Sequence, residues 1–276
     1  MLVTVHRATV GAVPDAYSDL LDDLADEQAS LDAAVEALDE DGWLTPTPAE
    51  GWDVRDSIAH LAVSEDLAST AATDADGFAA KLDELMASLA ASPAELDARL
   101  VGEGRSRTGR EVLEWWRASR AATIDALRGH DARTRLPWIV GEMSAMSFAT
   151  ARMMETWAHG QDVFDGLGVE HPATARLRHI ADLGVRTRPH AYRGRGMDLP
   201  SEDVRVELTA PDDSTWEWGE STTNFVRGDA LDFCLVVTQR RNPADTALDV
   251  TGPVAREWID IAQAFAGPVT DHRPPA

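Results

Sequence analysis

Two side chains near the middle of the chain have the types and spacing of ligands for a divalent metal. Glu155 and His159 are four residues apart, so on a helix they project side by side from one face. Their neighbours, including Met154 and Trp157, are apolar, which predicts that this part of the helix is largely buried. A buried carboxylate beside a buried imidazole is costly to desolvate unless a cation compensates for both. The pair therefore predicts a metal site.

His60 is the predicted third ligand, because it lies among apolar residues of a second helical segment. Two ligands from one helix and one from a facing helix can occupy three corners of a tetrahedron. The fourth corner then stays open for water or substrate, which is typical of catalytic rather than structural zinc sites. Asp56 and Asp162, each about one turn away, can orient the ligands or, alternatively, fill that corner.

Helical periodicity in the first two-thirds of the chain provides the elements that would position these ligands. Apolar residues recur at three- and four-residue steps, and Asp53 is well placed to cap the second helix. The pattern predicts four long helices, over residues 17–38, 54–67, 109–127 and 144–167, with a shorter helical piece over 77–89 and a turn or helix from Pro93. Four such helices form a bundle, predicted over residues 12–170.

The pattern changes after Pro200, where residues alternate as in strands. Short strands are predicted at 204–208, 215–218, 225–227 and 248–250, and helices at 229–239 and 255–265. We therefore predict a small α+β domain over residues 201–268, joined to the bundle by an arginine-rich connecting segment at 171–200. The expected fold class is mainly α.

Composition and charge exclude several classes of partner. The chain has 25 basic and 48 acidic residues and a formal charge of −23, which disfavours nucleic acids and anionic membranes. Cys234 is the single cysteine, so a cysteine-based zinc site is excluded, and its apolar neighbours predict an inert core residue. For Trp115 and Trp116, one core and one rim position are expected, with the lining of a substrate pocket as the alternative. With no long apolar run, including at Met1 to Gly11, we expect a cytoplasmic protein, monomeric or homodimeric.

The two helical motifs resemble those of a known family. Residues 52–61 (WDVRDSIAHL) resemble the signature that opens the second helix of DinB-like metal-binding bundles. Residues 155–162 (ETWAHGQD) resemble the second metal motif of the mycothiol-dependent maleylpyruvate isomerases. The resemblance implies zinc as the metal and His60, Glu155 and His159 as its ligands. It is closest to a subgroup described only as metal-binding proteins.

The resemblance continues into the C-terminal part of the chain. Residues 204–267 resemble the family's sterol-carrier-like α+β domain, and Thr238-Gln239-Arg240 stands where the isomerases carry Thr-Gly-Arg. This implies that Arg240 contributes to activity. Gln239 departs from the family pattern, and the adjacent Arg241 is an alternative for the same role.

The resemblance and the candidate site together imply a zinc-dependent isomerase or S-transferase that uses a low-molecular-weight thiol, mycothiol or an equivalent. A thiol at the open metal position would lose its proton and attack a small carboxylate or electrophilic substrate. Arg240 would hold the substrate carboxylate. A general detoxifying thiol transferase differs from the isomerase only in its substrate. A non-catalytic metal-binding or sensor protein is the alternative on the same scaffold, and a protein ligand in the fourth metal position would favour it.

Overall fold

The computed structural model describes residues 15–275, so the stretch Met1 to Gly11 and the first residues of the predicted bundle, 12–14, lie outside it. The described helices are α1 (Ala16–Val35), α2 (Glu40–Trp43), α3 (Val54–Thr73), α4 (Ala75–Ala91), α5 (Pro93–Arg105), α6 (Gly109–Arg128), α7 (Ala145–Leu167), α8 (Leu177–Arg186), α9 (Arg188–Gly194), α10 (Ala230–Val237) and α11 (Pro253–Ile261). The strands are β1 (Arg135–Leu136), β2 (Met143–Ser144), β3 (Arg205–Thr209), β4 (Thr215–Trp218), β5 (Phe225–Asp229) and β6 (Asp249–Thr251). The mainly helical fold with a small sheet is as predicted.

The four predicted long helices are confirmed as α1, α3, α6 and α7, which pack against one another. Each begins where a side chain accepts a hydrogen bond from an otherwise unpaired backbone N–H of the first turn. The capping residues are Asp15, Asp53, Thr108 and Ser144. Helix α7 ends at Gly168, whose left-handed backbone closes it. Contact between α3 and α7 brings the two predicted metal motifs together.

Helices α4 and α5 form a hairpin that packs on α3. Asp74 caps α4 and Ser92 caps α5, and Pro93 occupies the first turn of α5, where its missing N–H costs nothing. The sequence predicted only a turn or helix from Pro93, and the structure shows a helix of 13 residues.

The segment 171–200, predicted as a connection, contains α8 and α9. Helix α8 packs against both α7 and α10, so it joins the bundle to the C-terminal part. Its Leu177 and Ile180 belong to a hydrophobic cluster that also includes Met153 of the bundle and Phe233 of α10. The two predicted domains therefore share a continuous apolar core.

The C-terminal sheet has the strand order β4-β3-β5-β6. β3 pairs antiparallel with β4 and parallel with β5, while β6 is antiparallel to β5. Val206 and Leu208 of β3 are buried on one face, as the alternation predicted. After α11 the chain returns to the end of α10, where Ala264 N–H donates to the carbonyl of Val237 at 2.8 Å. No helix in residues 15–275 has the length and apolarity that a bilayer crossing requires.

Candidate metal centre

The three predicted metal ligands converge between α3 and α7. Nε2 of His60 and Nε2 of His159 lie 3.8 and 3.6 Å from Oε2 of Glu155. These separations are too long for hydrogen bonds, but ligand atoms on a tetrahedral zinc are separated by roughly 3.4 Å. Within residues 15–275, this trio is the one group of three or more His, Cys, Asp or Glu side chains whose ligand atoms all lie within 4.8 Å of one another. The donor set and spacing fit a divalent ion.

The electrostatics of the centre favour the protonation states that bind metal. Burial alone would raise the pKa of Glu155, but the two imidazoles and Arg152 outweigh it and hold that pKa well below its usual range. Burial and the neighbouring His60 lower the pKa of His159 to about 4, despite the opposing effect of Glu155. At neutral pH the site therefore offers an ionised carboxylate and a neutral imidazole on α7, as metal ligation requires.

Trp52 forms an aromatic wall against the centre that the sequence analysis did not identify. Its ring centroid lies 5.2 Å from that of His60 and 5.9 Å from that of His159. Its indole Nε1 donates to Oδ1 of Asp97 on α5 at 2.9 Å. Trp52 is the first residue of the motif that contains His60. Its position immediately before Asp53, the cap of α3, is the sequence feature that could have identified it.

Asp162, one of the two predicted orienting carboxylates, lies at the centre. Its Oδ2 is 3.9 Å from Nδ1 of His159 and 3.0 Å from Nε of Arg240, and its Oδ1 accepts from Nη2 of Arg273 at 2.6 Å. Burial would raise the pKa of this 1%-exposed carboxyl group, but Arg240, His159 and Arg273 together lower it. Asp162 therefore places two arginines beside the Nδ1 face of His159, although its Oδ2 is too far from Nδ1 for a hydrogen bond.

Asp56, the other predicted orienting carboxylate, is held elsewhere. Arg105 Nη2 donates to its Oδ2 at 2.8 Å, and Arg105 Nε lies 3.1 Å from both of its oxygens. Neither Asp56 nor Asp162 belongs to the group of converging ligand atoms. Within the part of the chain that the structure describes, no fourth protein ligand completes the tetrahedron.

The structure separates the two candidate arginines of the C-terminal motif. Arg240 lines the cavity at the centre, and it donates from Nε to the carbonyl of Ala158 at 3.0 Å and from Nη1 to that of Thr238 at 2.7 Å. Arg241 instead pairs with both carboxylate oxygens of Asp165, at 2.7 and 2.9 Å. Arg240 is therefore the arginine beside the metal ligands.

A cavity of about 310 Å³ opens onto His60, Glu155 and His159. Arg152 also lines it, and the sequence analysis did not assign this residue a role although it precedes Glu155 by one helical turn. Its Nη1 donates to Ser64 Oγ, and its guanidinium lies 4.8 Å from the ring centroid of Trp138. A second cavity of about 260 Å³ also reaches His60 and Ser64, with charged lining residues Asp66, Lys81, Arg99 and Glu103.

The remaining residues singled out in the sequence lie in or next to the core. Cys234 is fully buried, and burial raises the pKa of its thiol, so it is not a reactive thiol of this site. Trp116 is fully buried, while Trp115 lines the second cavity. Trp116 is therefore a core residue as expected, while Trp115 combines a rim position with the lining of a cavity, which was the alternative.

Comparison with known proteins places this architecture in a family. The model of the mycothiol maleylpyruvate isomerase N-terminal domain matches residues 24–164, which is about half of the chain and includes His60, Glu155 and His159. The chain belongs to this family. Two relatives, both named uncharacterized proteins of Mycobacterium tuberculosis, are each 46% identical to this chain over 239 residues. The aligned region covers 86% of this chain and 91% of each relative.

Solved structures of a mycothiol-dependent maleylpyruvate isomerase share the fold of this family member. The enzyme and a histidine-to-alanine mutant of it each match with a TM-score of 0.54 and 15% sequence identity. Each match covers 83% of this chain and 90% of the isomerase chain. At 83% of this chain, the likeness in fold extends beyond the matched N-terminal domain.

Gln239, the departure from the family's Thr-Gly-Arg pattern, has a left-handed backbone with φ of 58°. Glycine adopts this conformation freely, whereas another residue pays roughly 1–2 kcal/mol for it. The Gln239 side chain offsets the strain by donating from Nε2 to the carbonyls of Ala262 and Thr270, each at 3.0 Å. Its Oε1 also accepts from the Thr270 hydroxyl at 2.7 Å. Glutamine here thus ties the C-terminal segment to the turn that presents Arg240.

Proposed function

We propose that this protein is a zinc-dependent isomerase or S-transferase that uses mycothiol or an equivalent small thiol. The observation that carries the proposal is a three-ligand centre with no fourth protein ligand among the described residues, open to a cavity that also contains Arg240. Structural zinc sites are closed by four protein ligands, whereas catalytic sites keep a position for water or substrate. Membership of the maleylpyruvate isomerase family supports the thiol as cosubstrate.

His60, Glu155 and His159 would hold the ion, and Asp162 would orient His159 through its Nδ1 side. When bound, the ion would supply a Lewis-acidic position at which a thiol loses its proton to solvent at neutral pH. Arg240, which lines the same cavity, would bind the carboxylate of the substrate. Its guanidinium group would also stabilise the negative charge that develops on the substrate during the reaction.

In the isomerisation, the thiolate sulfur forms a bond to the β-carbon of an unsaturated carboxylate, and the π electrons move toward the carbonyl end of the substrate. Rotation about the resulting single bond follows. The electrons then return, the C–S bond breaks, and the thiolate leaves unchanged, so the reaction has no net redox change. In the S-transfer alternative, the same sulfur attacks an electrophilic carbon, and the leaving group departs with the bonding electron pair.

Metal content tests the site. We expect about one zinc per wild-type chain and close to none in His60→Ala, because two remaining ligands bind zinc weakly. His179→Ala is a matched control, since His179 pairs with Asp23 away from the centre. Equal zinc content in wild type and His60→Ala would contradict the assignment of the ligands.

Turnover tests the chemistry. We expect consumption of maleylpyruvate or of an activated electrophile only when both zinc and a small thiol are present, and loss of turnover in His60→Ala. Arg240→Gln should weaken substrate use while zinc content stays close to that of the wild type. Zinc binding without thiol-dependent turnover across a panel of electrophiles would favour the metal-binding or sensor protein instead.

A further inference from the structure

The α4–α5 hairpin turns its large apolar side chains toward the metal centre. Phe78 is the buried side chain of α4, and Val101 and Gly104 are the buried residues of α5. Other apolar residues of the hairpin line the larger cavity: Leu85, Met86, Leu89, Leu96 and Leu100. Met86 and Leu89 remain 36% and 41% exposed. An apolar helix face left open beside a catalytic centre is suited to an apolar ligand.

Two guanidinium groups lie along α7 on the ligand-bearing side of this cavity. Arg152 lies one turn before Glu155, and its side chain is buried with the residue only 2% exposed. Within the described residues, Arg152 Nε has no hydrogen-bond partner, so its pairing is incomplete. Arg240 reaches α7 at the carbonyl of Ala158, one residue before His159. The cavity thus has a cationic wall at the metal ligands and an apolar wall at the hairpin.

The cationic wall contrasts with the charge of the whole protein. A formal charge of −23 repels anions from most of the surface. Glu155, the carboxylate between the two arginines, would be neutralised by the metal that it binds. Asp162, which lies 3.0 Å from Arg240, also pairs with Arg273, so it offsets only one of these two positive charges. Together with Arg152, the metal end of the cavity therefore keeps local positive charge, and a ligand carboxylate can form charge-assisted hydrogen bonds with it.

We infer that the electrophile of this site is an amphipathic monocarboxylate, with its carboxylate at Arg152 and Arg240 and its apolar body against the α4–α5 hairpin. The inference rests on the proposed function and narrows its substrate class. A volume of about 310 Å³ equals roughly ten water volumes, enough for a body of about eight to ten carbon atoms. A small dicarboxylate would place its second charge against leucine side chains and lose hydration without compensation.

Binding to the zinc-loaded full chain tests the inference by calorimetry without any thiol. The probes are straight-chain 2-alkenoates of about four to ten carbons and their primary amides. We expect the affinity for the carboxylates to rise roughly fourfold per added methylene until the cavity is filled. The amide of each chain should bind about tenfold more weakly than the carboxylate. Affinity that is independent of chain length, or tighter binding of a short dicarboxylate, would overturn the inference.

Matched variants locate the two ends of the ligand. Leu89→Ser should lower the affinity for the longest alkenoate at least about threefold and leave the shortest unchanged. Leu199→Ser is the control, since Leu199 is 46% exposed and lines neither cavity. Arg152→Gln should remove most of the preference for carboxylate over amide, and Arg152→Lys should restore part of it. Because Arg152 is buried, its variants are compared with the wild type only if their Tm values match that of the wild type. Otherwise the comparison of Leu89→Ser with Leu199→Ser tests the inference.

Thiol-dependent turnover with the same probes separates this inference from the proposed function. Tight, chain-length-dependent binding with no reaction in the presence of thiol would overturn the proposed function and leave the ligand class standing. Thiol-dependent turnover of short polar electrophiles, with no gain from longer chains, would overturn the ligand class and leave the proposed function standing.

Discussion

Replacing Asp162 by asparagine removes the one negative charge shared by two arginines at the metal centre. The carboxylate is 1% exposed, and the side chains of Arg240 and Arg273 are 11% and 29% exposed. Removing one partner of a buried ion pair costs about 3–5 kcal/mol. Arg273 can recover hydration more easily than Arg240, so we take the lower end, about 3 kcal/mol. For a chain of this size the expected fall in Tm is about 6–12 °C.

The pH dependence has a defined sign. The pKa of Asp162 is lowered in the folded protein, so its stabilising contribution is present above the unfolded-state pKa of about 3.9 and is lost as pH falls through the folded-state value. The Tm values of the metal-free wild type and of metal-free Asp162→Asn should therefore show the full expected difference at pH 7. The difference should shrink below about pH 4.

Asp165→Asn is the matched control for Asp162→Asn. Asp165 lies one turn later on α7 and pairs with Arg241, whose side chain is 36% exposed. The side chains of Asp165 and Arg241 are 18% and 36% exposed, so this pair is better hydrated than the Asp162 pairs, and the control should lower Tm at pH 7 less than Asp162→Asn does. Zinc affinity should fall about 10- to 100-fold in Asp162→Asn and stay unchanged in Asp165→Asn. Equal Tm values for Asp162→Asn and wild type, or a gap that persists at low pH, would refute the reasoning.

Three further results are expected. Zinc at about 100 times its Kd should stabilise the wild type by about 2.7 kcal/mol, which is a rise in Tm of about 5–10 °C. A chelator should reverse this rise, and a Tm that does not respond to zinc would contradict the site. Iodoacetamide should label Cys234 more than about a hundredfold faster in urea than in the native state, because the thiol is fully buried; equal rates would show that it is accessible. Gly252→Ala should destabilise by about 2–3 kcal/mol in urea unfolding, since φ there is 89° and a Cβ would lie 2.3 Å from the carbonyl of Thr223. Gly102→Ala, inside α5, should instead stabilise the protein by about 0.5–1 kcal/mol, because an added Cβ would make only an ordinary contact with Ala98 at 3.8 Å. The same sign for both substitutions would contradict the strain at Gly252.

The helices and strands were predictable because their signals are local. A helix such as α6 is specified by apolar residues at every third or fourth position and by a cap at Thr108. The residues of β3 alternate between buried and more exposed positions, which the sequence pattern also indicated. Helices α8 and α9 were missed, since an arginine-rich segment looks solvent-exposed until α7 and α10 cover its apolar side.

The metal trio was only partly a local inference. The four-residue spacing of Glu155 and His159 places both on one face of α7 whatever the rest of the chain does. Pairing them with His60 required the assumption that α3 faces α7, which the structure supports. Spacing could not distinguish Asp162 from Asp56, because each lies about one turn from a ligand, and only the position of Arg105 and Arg240 separates them.

The sequence by itself determined the helical bundle, the small C-terminal sheet and the three residues most suited to a metal, because these depend on periodicity, capping and side-chain chemistry. Tertiary structure alone decided which arginines reach the site. The left-handed turn at Gln239 sends Arg240 toward the cavity and Arg241 toward Asp165. The returning C-terminal segment brings Arg273 to Asp162 across 111 residues of sequence. Such contacts depend on the packing of distant elements, and no local pattern encodes them.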